Sequence, residues 1–89
     1  MSCNPQLKNL RKQIDVCDQQ LLLILAKRMQ IVQKIGQLKK ESGLKPLDKN
    51  RWQKLLAKEQ KQAAKLNLPP RLIKQWYELM HQYSLRIQK

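Results

Sequence analysis

Residues 5–41 read PQLKNLRKQIDVCDQQLLLILAKRMQIVQKIGQLKKE, and this stretch determines the architecture of the chain. Two positions of its seven-residue repeat are almost entirely apolar, the exception being an arginine. Such a repeat predicts one long helix that packs against another helix along its whole length. The first position holds Leu7, Ile14, Leu21, Arg28 and Ile35, and the second holds Leu10, Cys17, Ile24, Ile31 and Leu38.

Proline, glycine and capping residues mark where helices begin and end. Asn4-Pro5 reads as an N-cap followed by the first helical residue, and residues 43–46, which begin with Gly43 and end with Pro46, close that helix and form a loop. Asp48 is expected to cap a second helix, and Asn67 to open a third before the two prolines. The sequence therefore predicts an all-α domain over residues 1–89 with helices at roughly 5–41, 49–65 and 70–88.

The length of the first helix bears on oligomeric state. About 37 residues at 1.5 Å each give a rod of about 55 Å, whereas a compact monomer of this size has a radius of gyration near 12 Å. The roughly 40 residues in the other two helices are too few to wrap such a rod. We therefore expect an intertwined twofold homodimer, in which a second chain covers the long helix.

The formal net charge of +13 is the strongest feature of the composition. It allows nucleic acid, an acidic membrane surface or an anionic small molecule as the partner. The N-terminus is polar and the longest apolar run, residues 21–26, is far too short to span a membrane, so a cytoplasmic protein is expected. Cys3 and Cys17 read as reduced thiols, and one histidine, His81, cannot build a metal site alone.

Arg28 interrupts the apolar repeat and is the first candidate for a functional residue. A buried guanidinium without an acceptor costs several kcal/mol, and no acid lies one turn away on the helix. Its acceptor is either an acid from elsewhere, such as Asp48 or Glu59, in a purely structural helical dimer, or an anionic ligand. Lys39, eleven residues on and about 20° off the same face, could hold a small anion together with Arg28.

Other polar residues fall at positions that suit an anion site. Arg11 lies about 25 Å from Arg28 along the predicted rod, so it could serve the same pocket only from the other subunit. Arg51 stands in the first turn of the second helix, where backbone N–H groups and the helix dipole favour anions. Ser84 and Gln88 are four residues apart and share one face of the third helix.

From Leu10 to Gln88 the sequence resembles the AroQ-type, all-helical chorismate mutase family. The stretches that carry the resemblance are Leu10-Arg11-Lys-Gln-Ile14-Asp15, Leu-Ala-Lys-Arg28-Met, Ile35-Gly36-Gln-Leu-Lys39, Asp48-Lys-Asn-Arg51 and His81-Gln-Tyr-Ser84-Leu-Arg-Ile-Gln88. The resemblance implies an isomerase that converts chorismate to prephenate in aromatic amino-acid biosynthesis, with no cofactor and no metal.

The resemblance also implies a role for each matching residue. Arg28, with Arg11 from the partner chain, would hold the two substrate carboxylates, and Lys39 and Gln88 would donate hydrogen bonds to the ether oxygen. The backbone of Asp48 would approach the ring hydroxyl, and Arg51 and Ser84 would complete the polar wall. The apolar wall would comprise Val32, Ile35, Leu55 and Leu85.

One position departs from the family pattern. Many members carry a glutamate after the arginine at position 51, where it helps bind the substrate hydroxyl, but here the residue is Trp52. Leu47 and Trp52 occupy the two positions of a hydrophobic staple around the Asp48 cap. The departure leaves isochorismate-pyruvate lyase activity, on a fold that resembles this one, as an alternative. A basic nucleic-acid-binding dimer is a weaker alternative, because no recognition helix is evident.

Overall fold

The computed structural model describes residues 4–88, and these contain three α-helices. α1 spans Pro5–Glu41, α2 spans Lys49–Lys65 and α3 spans Pro70–Gln88. The three helices and their bounds confirm the prediction from the sequence. The expected reduced thiol of Cys3 lies outside the described residues, whereas Cys17 is a free, exposed cysteine.

Capping side chains account for where α1 and α2 begin. Asn4 Oδ1 accepts hydrogen bonds from the backbone N–H groups of Gln6, at 2.9 Å, and Leu7, at 3.4 Å. Asp48 has an extended backbone (φ −118°, ψ 98°), and its Oδ1 accepts from the N–H of Arg51 at 3.0 Å. Both caps satisfy backbone donors that the first turn of a helix otherwise leaves unpaired, as predicted.

Left-handed residues follow α1 and α2. Gly43 adopts φ +70°, a conformation that glycine reaches without steric cost, and the N–H of Leu44 then returns to the carbonyl of Lys39 at 2.7 Å. Asn67 adopts φ +59° and its N–H bonds to Ala64 O at 3.3 Å, so it ends α2 instead of opening α3. The stretch Asn67-Leu-Pro-Pro nevertheless leads into α3 at Pro70, as predicted, while its first residue takes the left-handed conformation that ends α2.

The chain divides into two compact units, residues 1–31 and residues 32–89. In the first unit, the described residues from 5 onward all belong to α1. In the second unit, the end of α1 is followed by α2 and α3, which pack against each other. Tyr77 on α3 donates a hydrogen bond of 3.4 Å to Glu59 on α2. The single domain expected over residues 1–89 stays a prediction.

Few side chains of residues 4–88 are fully buried. The buried apolar residues are Val32 and Ala63, and the buried polar residue is Gln88. The apolar repeat of α1 within the first unit is exposed, from 46% for Leu7 to 64% for Ile24. None of the helices formed by the described residues combines the length and the apolar character that crossing a bilayer requires.

Candidate active site

The second unit brings Lys39 and Gln88 together. Lys39 lies in the last turn of α1 and Gln88 is the last residue of α3. Lys39 Nζ donates a hydrogen bond of 2.8 Å to Gln88 Oε1 and another of 2.6 Å to the carbonyl oxygen of Pro46. These two bonds fix a lysine that would otherwise sample many rotamers, and they join the ends of α1 and α3 to the loop between α1 and α2.

This geometry determines which groups are left to donate. An ammonium has three N–H bonds and accepts none, so the Gln88 amide must present its oxygen to Lys39 and its NH₂ group elsewhere. Two N–H groups of Lys39 are used by Gln88 and Pro46, and the third is available to a ligand. The pair therefore offers one ammonium donor and one amide donor from neighbouring positions.

Close backbone packing brings Gln88 to this place. Gly36 precedes Lys39 by one turn of α1, and both Gly36 and Gln88 are buried. A methyl group built on Gly36 would lie 2.8 Å from Gln88 Cα, 2.9 Å from its Cγ and 3.1 Å from its Cβ. Such separations are too short for carbon atoms, so α3 approaches α1 this closely only because residue 36 has no side chain.

A cavity of about 330 Å³ lies beside Lys39, between the end of α1 and the start of α2. Three lysines and one aspartate contribute to its lining, which is therefore cationic. Such a lining attracts anions and raises their local concentration. The lining residues are Lys39, Leu44, Lys45, Leu47, Asp48, Lys49 and Asn50.

The structure places Asp48 and Arg51 at the beginning of α2. Asp48 lines the cavity, and its carboxylate is engaged by the N–H of Arg51, so its role in the fold is to cap α2. The Arg51 side chain is exposed in the first turn of that helix. The N-terminal end of α2, with its partial positive charge, thus lies next to the cavity.

The remaining predicted residues lie in three places. Ser84 is half-buried on α3, one turn before Gln88. Arg28, also half-buried, and Arg11, which is exposed, lie in the first unit. The pocket that the sequence predicts for these arginines together with Lys39 stays a prediction. The two acids considered as partners for Arg28 make other hydrogen bonds, Asp48 at its cap and Glu59 with Tyr77.

Trp52 packs against α3. Its ring stacks on His81 with a centroid separation of 3.9 Å and an interplanar angle of 11°, and both residues are half-buried. His81 is thus a packed histidine. The stack joins the first turn of α2 to the middle of α3, next to the turn that carries Ser84. The staple contact between Leu47 and Trp52 stays a prediction.

Sequence reasoning missed several residues of the site. Lys45, Lys49 and Asn50 line the cavity, and the sequence alone indicated no role for any of them. Their position next to the Asp48 cap could have identified them, because residues flanking a helix start share its anion-attracting end. Gly36 was noted only as part of a matching stretch, and its contact with Gln88 joins residues that are far apart in the sequence.

The fold and the site define a small helical domain in which a lysine, fixed by a glutamine, lines a cationic cavity. The sequence profile of the chorismate mutase type II family matches residues 10–89, and the chain belongs to this family. Among curated proteins, it is similar to the T-protein of Enterobacter agglomerans, with 41% identity over 68 residues. That match covers 76% of this chain and 18% of the T-protein, so the chain spans about a fifth of the length of this relative.

Proposed function

We propose that the protein is a chorismate mutase, an isomerase that converts chorismate to prephenate in aromatic amino-acid biosynthesis. The observation that carries this proposal is the 2.8 Å hydrogen bond that joins Lys39, which lines a cationic cavity, to Gln88. Membership of the chorismate mutase type II family supports the same reaction.

The reaction suits a site that offers donors and positioning. The rearrangement is unimolecular: the C–O bond of the ether breaks while a new C–C bond forms, and negative charge develops on the ether oxygen. The third N–H of Lys39 and the amide NH₂ of Gln88 would both donate to that oxygen. Preorganised donors of this kind each lower the barrier by about 3 kcal/mol. Holding the compact reactive conformer contributes several kcal/mol more.

Cationic groups would hold the two carboxylates of the substrate. Arg28, half-buried on α1, would bind one of them, and Arg11 of a second chain would bind the other. Guanidinium groups suit this role because they bind carboxylates with two parallel hydrogen bonds. The backbone of Asp48 would approach the ring hydroxyl, and Arg51 and Ser84 would complete the polar wall.

An intertwined homodimer is part of this proposal. The apolar repeat of α1 in the first unit leaves six large aliphatic side chains between 46% and 64% exposed. Moving one such side chain from water into a core stabilises a protein by roughly 1.5–3 kcal/mol. A second copy of α1 carries the matching repeat and is the simplest cover for this surface. The six side chains are Leu7, Leu10, Ile14, Leu21, Ile24 and Ile31.

The proposed compartment is the cytoplasm. The free thiol of Cys17 is exposed, and such thiols persist in reducing compartments. A nucleic-acid partner would give affinity that falls steeply with salt, and no described contact calls for one.

The test is to incubate the purified protein with chorismate and with isochorismate separately and to identify the products. Prephenate from chorismate is the expected result. Release of pyruvate from isochorismate, without prephenate from chorismate, would instead favour the lyase, which the presence of Trp52 in place of the glutamate makes the second candidate. No product from either substrate would refute both activities.

A ligand-binding measurement complements the assay. A transition-state analogue of the rearrangement, at 100 times its dissociation constant, should stabilise the fold by about 2.7 kcal/mol. The melting temperature measured with and without the analogue reports this effect. An unchanged melting temperature would contradict the enzyme and favour the purely structural dimer.

A further inference from the structure

We propose that Gly36 is a positioning residue, whose missing side chain holds Gln88 in hydrogen-bond range of Lys39; its effect on turnover rests on the function proposed above. Gly36 and Lys39 are three residues apart and share one face of α1. The end of α3 lies against that face, with the backbone of Gln88 over Gly36 and its amide oxygen 2.8 Å from Lys39 Nζ.

The contact involves main-chain atoms, so a change of side-chain rotamer cannot relieve a clash there. The nearest atom to a methyl group on residue 36 would be Gln88 Cα, at 2.8 Å. No rotation of the Gln88 side chain can move its own Cα, so the end of α3 would have to withdraw. Non-bonded carbon atoms prefer separations of about 3.5–4.0 Å, which implies a withdrawal of roughly 1 Å.

A withdrawal of that size is enough to separate the donor pair. The hydrogen bond between Lys39 and Gln88 would lengthen from 2.8 Å to a distance at which it no longer counts as one. Misplacement of a reacting or donating group by about 1 Å lowers turnover by on the order of 100-fold. Gly36 has no side chain to offer to a substrate and is absent from the cavity lining, so it would act through Gln88.

The position of Gln88 at the end of a helix strengthens this argument. Terminal turns fray, yet Gln88 is only 8% exposed although it is the last residue of α3. Glycine in a helix interior is also less favourable than alanine. A glycine within α1 therefore lowers the stability of that helix. The close approach of α3 at this position explains why a glycine is nevertheless present.

The first experiment compares Gly36→Ala with the wild-type protein and with Gln37→Ala, an exposed neighbour on the same helix. In Gly36→Ala we expect kcat for chorismate to fall by about 10- to 100-fold, with KM changed less than about threefold. Gln37→Ala should leave both constants unchanged. Wild-type kcat in Gly36→Ala, or a melting temperature raised as for a simple glycine-to-alanine change in a helix, would overturn the proposal.

A double-mutant cycle separates positioning from a general structural effect. If Gly36 acts through Gln88, then adding Gly36→Ala to Gln88→Ala should lower kcat by less than about threefold further, because the amide is already gone. If kcat of the double variant falls by the product of the two single losses, the proposal is overturned. Should Gly36→Ala fail to fold, deleting residues 88 and 89 from this variant should restore helical circular dichroism without activity, because the Cα, Cβ and Cγ contacts of Gln88 are then all removed. Failure to regain it would also overturn the proposal.

A spectroscopic readout keeps the test independent of catalysis. The side-chain amide resonances of Gln88 are assigned by their loss in Gln88→Ala, and in Gly36→Ala they should move to the position of a solvated glutamine. Unmoved resonances would overturn the proposal. If the wild-type protein fails to convert chorismate while these resonances do move, the proposed function falls and the placement of Gln88 by Gly36 stands.

Discussion

At the scale of single residues, Lys39 shows how a common side chain becomes a fixed donor. Lys40 next to it is exposed, whereas Lys39 is half-buried and has two acceptors, Pro46 O and Gln88 Oε1. Each acceptor removes rotamer freedom that a ligand would otherwise have to restrict on binding.

Removing any one of the three central polar groups should therefore impair catalysis. Lys39→Ala, Gln88→Ala and Arg28→Ala are each expected to lower kcat/KM for chorismate at least tenfold while the protein stays folded. Steady-state kinetics and circular dichroism measure the two properties, and Lys40→Ala is the matched control for Lys39→Ala. Near-normal turnover in all three variants would refute the assignment.

The sequence predicted the polar members of this site but could not predict their geometry. Helical spacing singled out Lys39 and Gln88 separately, but only the resemblance to a family paired them, because they are 49 residues apart and no local rule joins them. The role of Gly36 depends on atoms of α3 that lie within 3 Å of where a Cβ on residue 36 would stand, and such an approach is a tertiary property. A glycine in a helical stretch reads locally only as a weak helix former.

At the scale of elements, the start of α2 is a helix cap, a wall of the cavity and a contact with α3. Asp48 caps the helix through its side chain and lines the cavity, while Trp52 one turn later stacks on His81 of α3. The sequence predicted the cap, since capping follows local rules. It could not predict the stack, because the register between α2 and α3 depends on packing across the whole helix pair.

Two substitutions of Asp48 distinguish its role as the cap of α2 from a role in turnover. Asp48→Ala should destabilise the protein by about 1 kcal/mol, since it removes the acceptor of the Arg51 N–H. Such a loss lowers the melting temperature by roughly 4–8 °C in a domain of this size.

Asp48→Asn is the matched control for this change. It keeps a capping oxygen and should retain both stability and turnover, because the proposed contact with substrate uses the backbone. A loss of turnover in Asp48→Asn at unchanged stability would show instead that the carboxylate itself takes part.

The stack of Trp52 on His81 should contribute to the stability of the second unit. Aromatic pairs contribute about 0.5–1.5 kcal/mol beyond the area that they bury. Trp52→Leu should lower the melting temperature, and Trp52→Phe, which keeps an aromatic ring over His81, should lower it less. Equal melting temperatures for the two variants would mean that the ring stack adds nothing to apolar burial.

At the scale of the whole molecule, the proposed dimer rests on the row of apolar side chains in the first unit of α1. These residues recur at the seven-residue spacing that is typical of helices packed along their whole length, and their side chains are exposed in the described chain. The sequence predicted the row because it is a matter of periodicity. The relation of two chains depends on a partner surface, and for that reason the shared pocket stays a proposal.

A shared pocket makes a specific prediction for mixed dimers. Arg11→Ala and Lys39→Ala chains should each be inactive alone, but a heterodimer would contain one intact pocket, with Lys39 from the first chain and Arg11 from the second. Random exchange should restore about a quarter of wild-type activity, since half of the dimers are mixed and each has one working site. No recovery after proven chain exchange would reject the contribution of Arg11 across the interface.

The scarcity of buried apolar side chains has a further consequence for how the protein behaves in solution. Val32 and Ala63 are the buried apolar residues among those described, so in the proposed dimer much of the stability would come from association. Mass action then links folding to protein concentration. We expect the midpoint of thermal unfolding to rise as the protein is concentrated, and turnover per chain to decline on dilution as dimers separate.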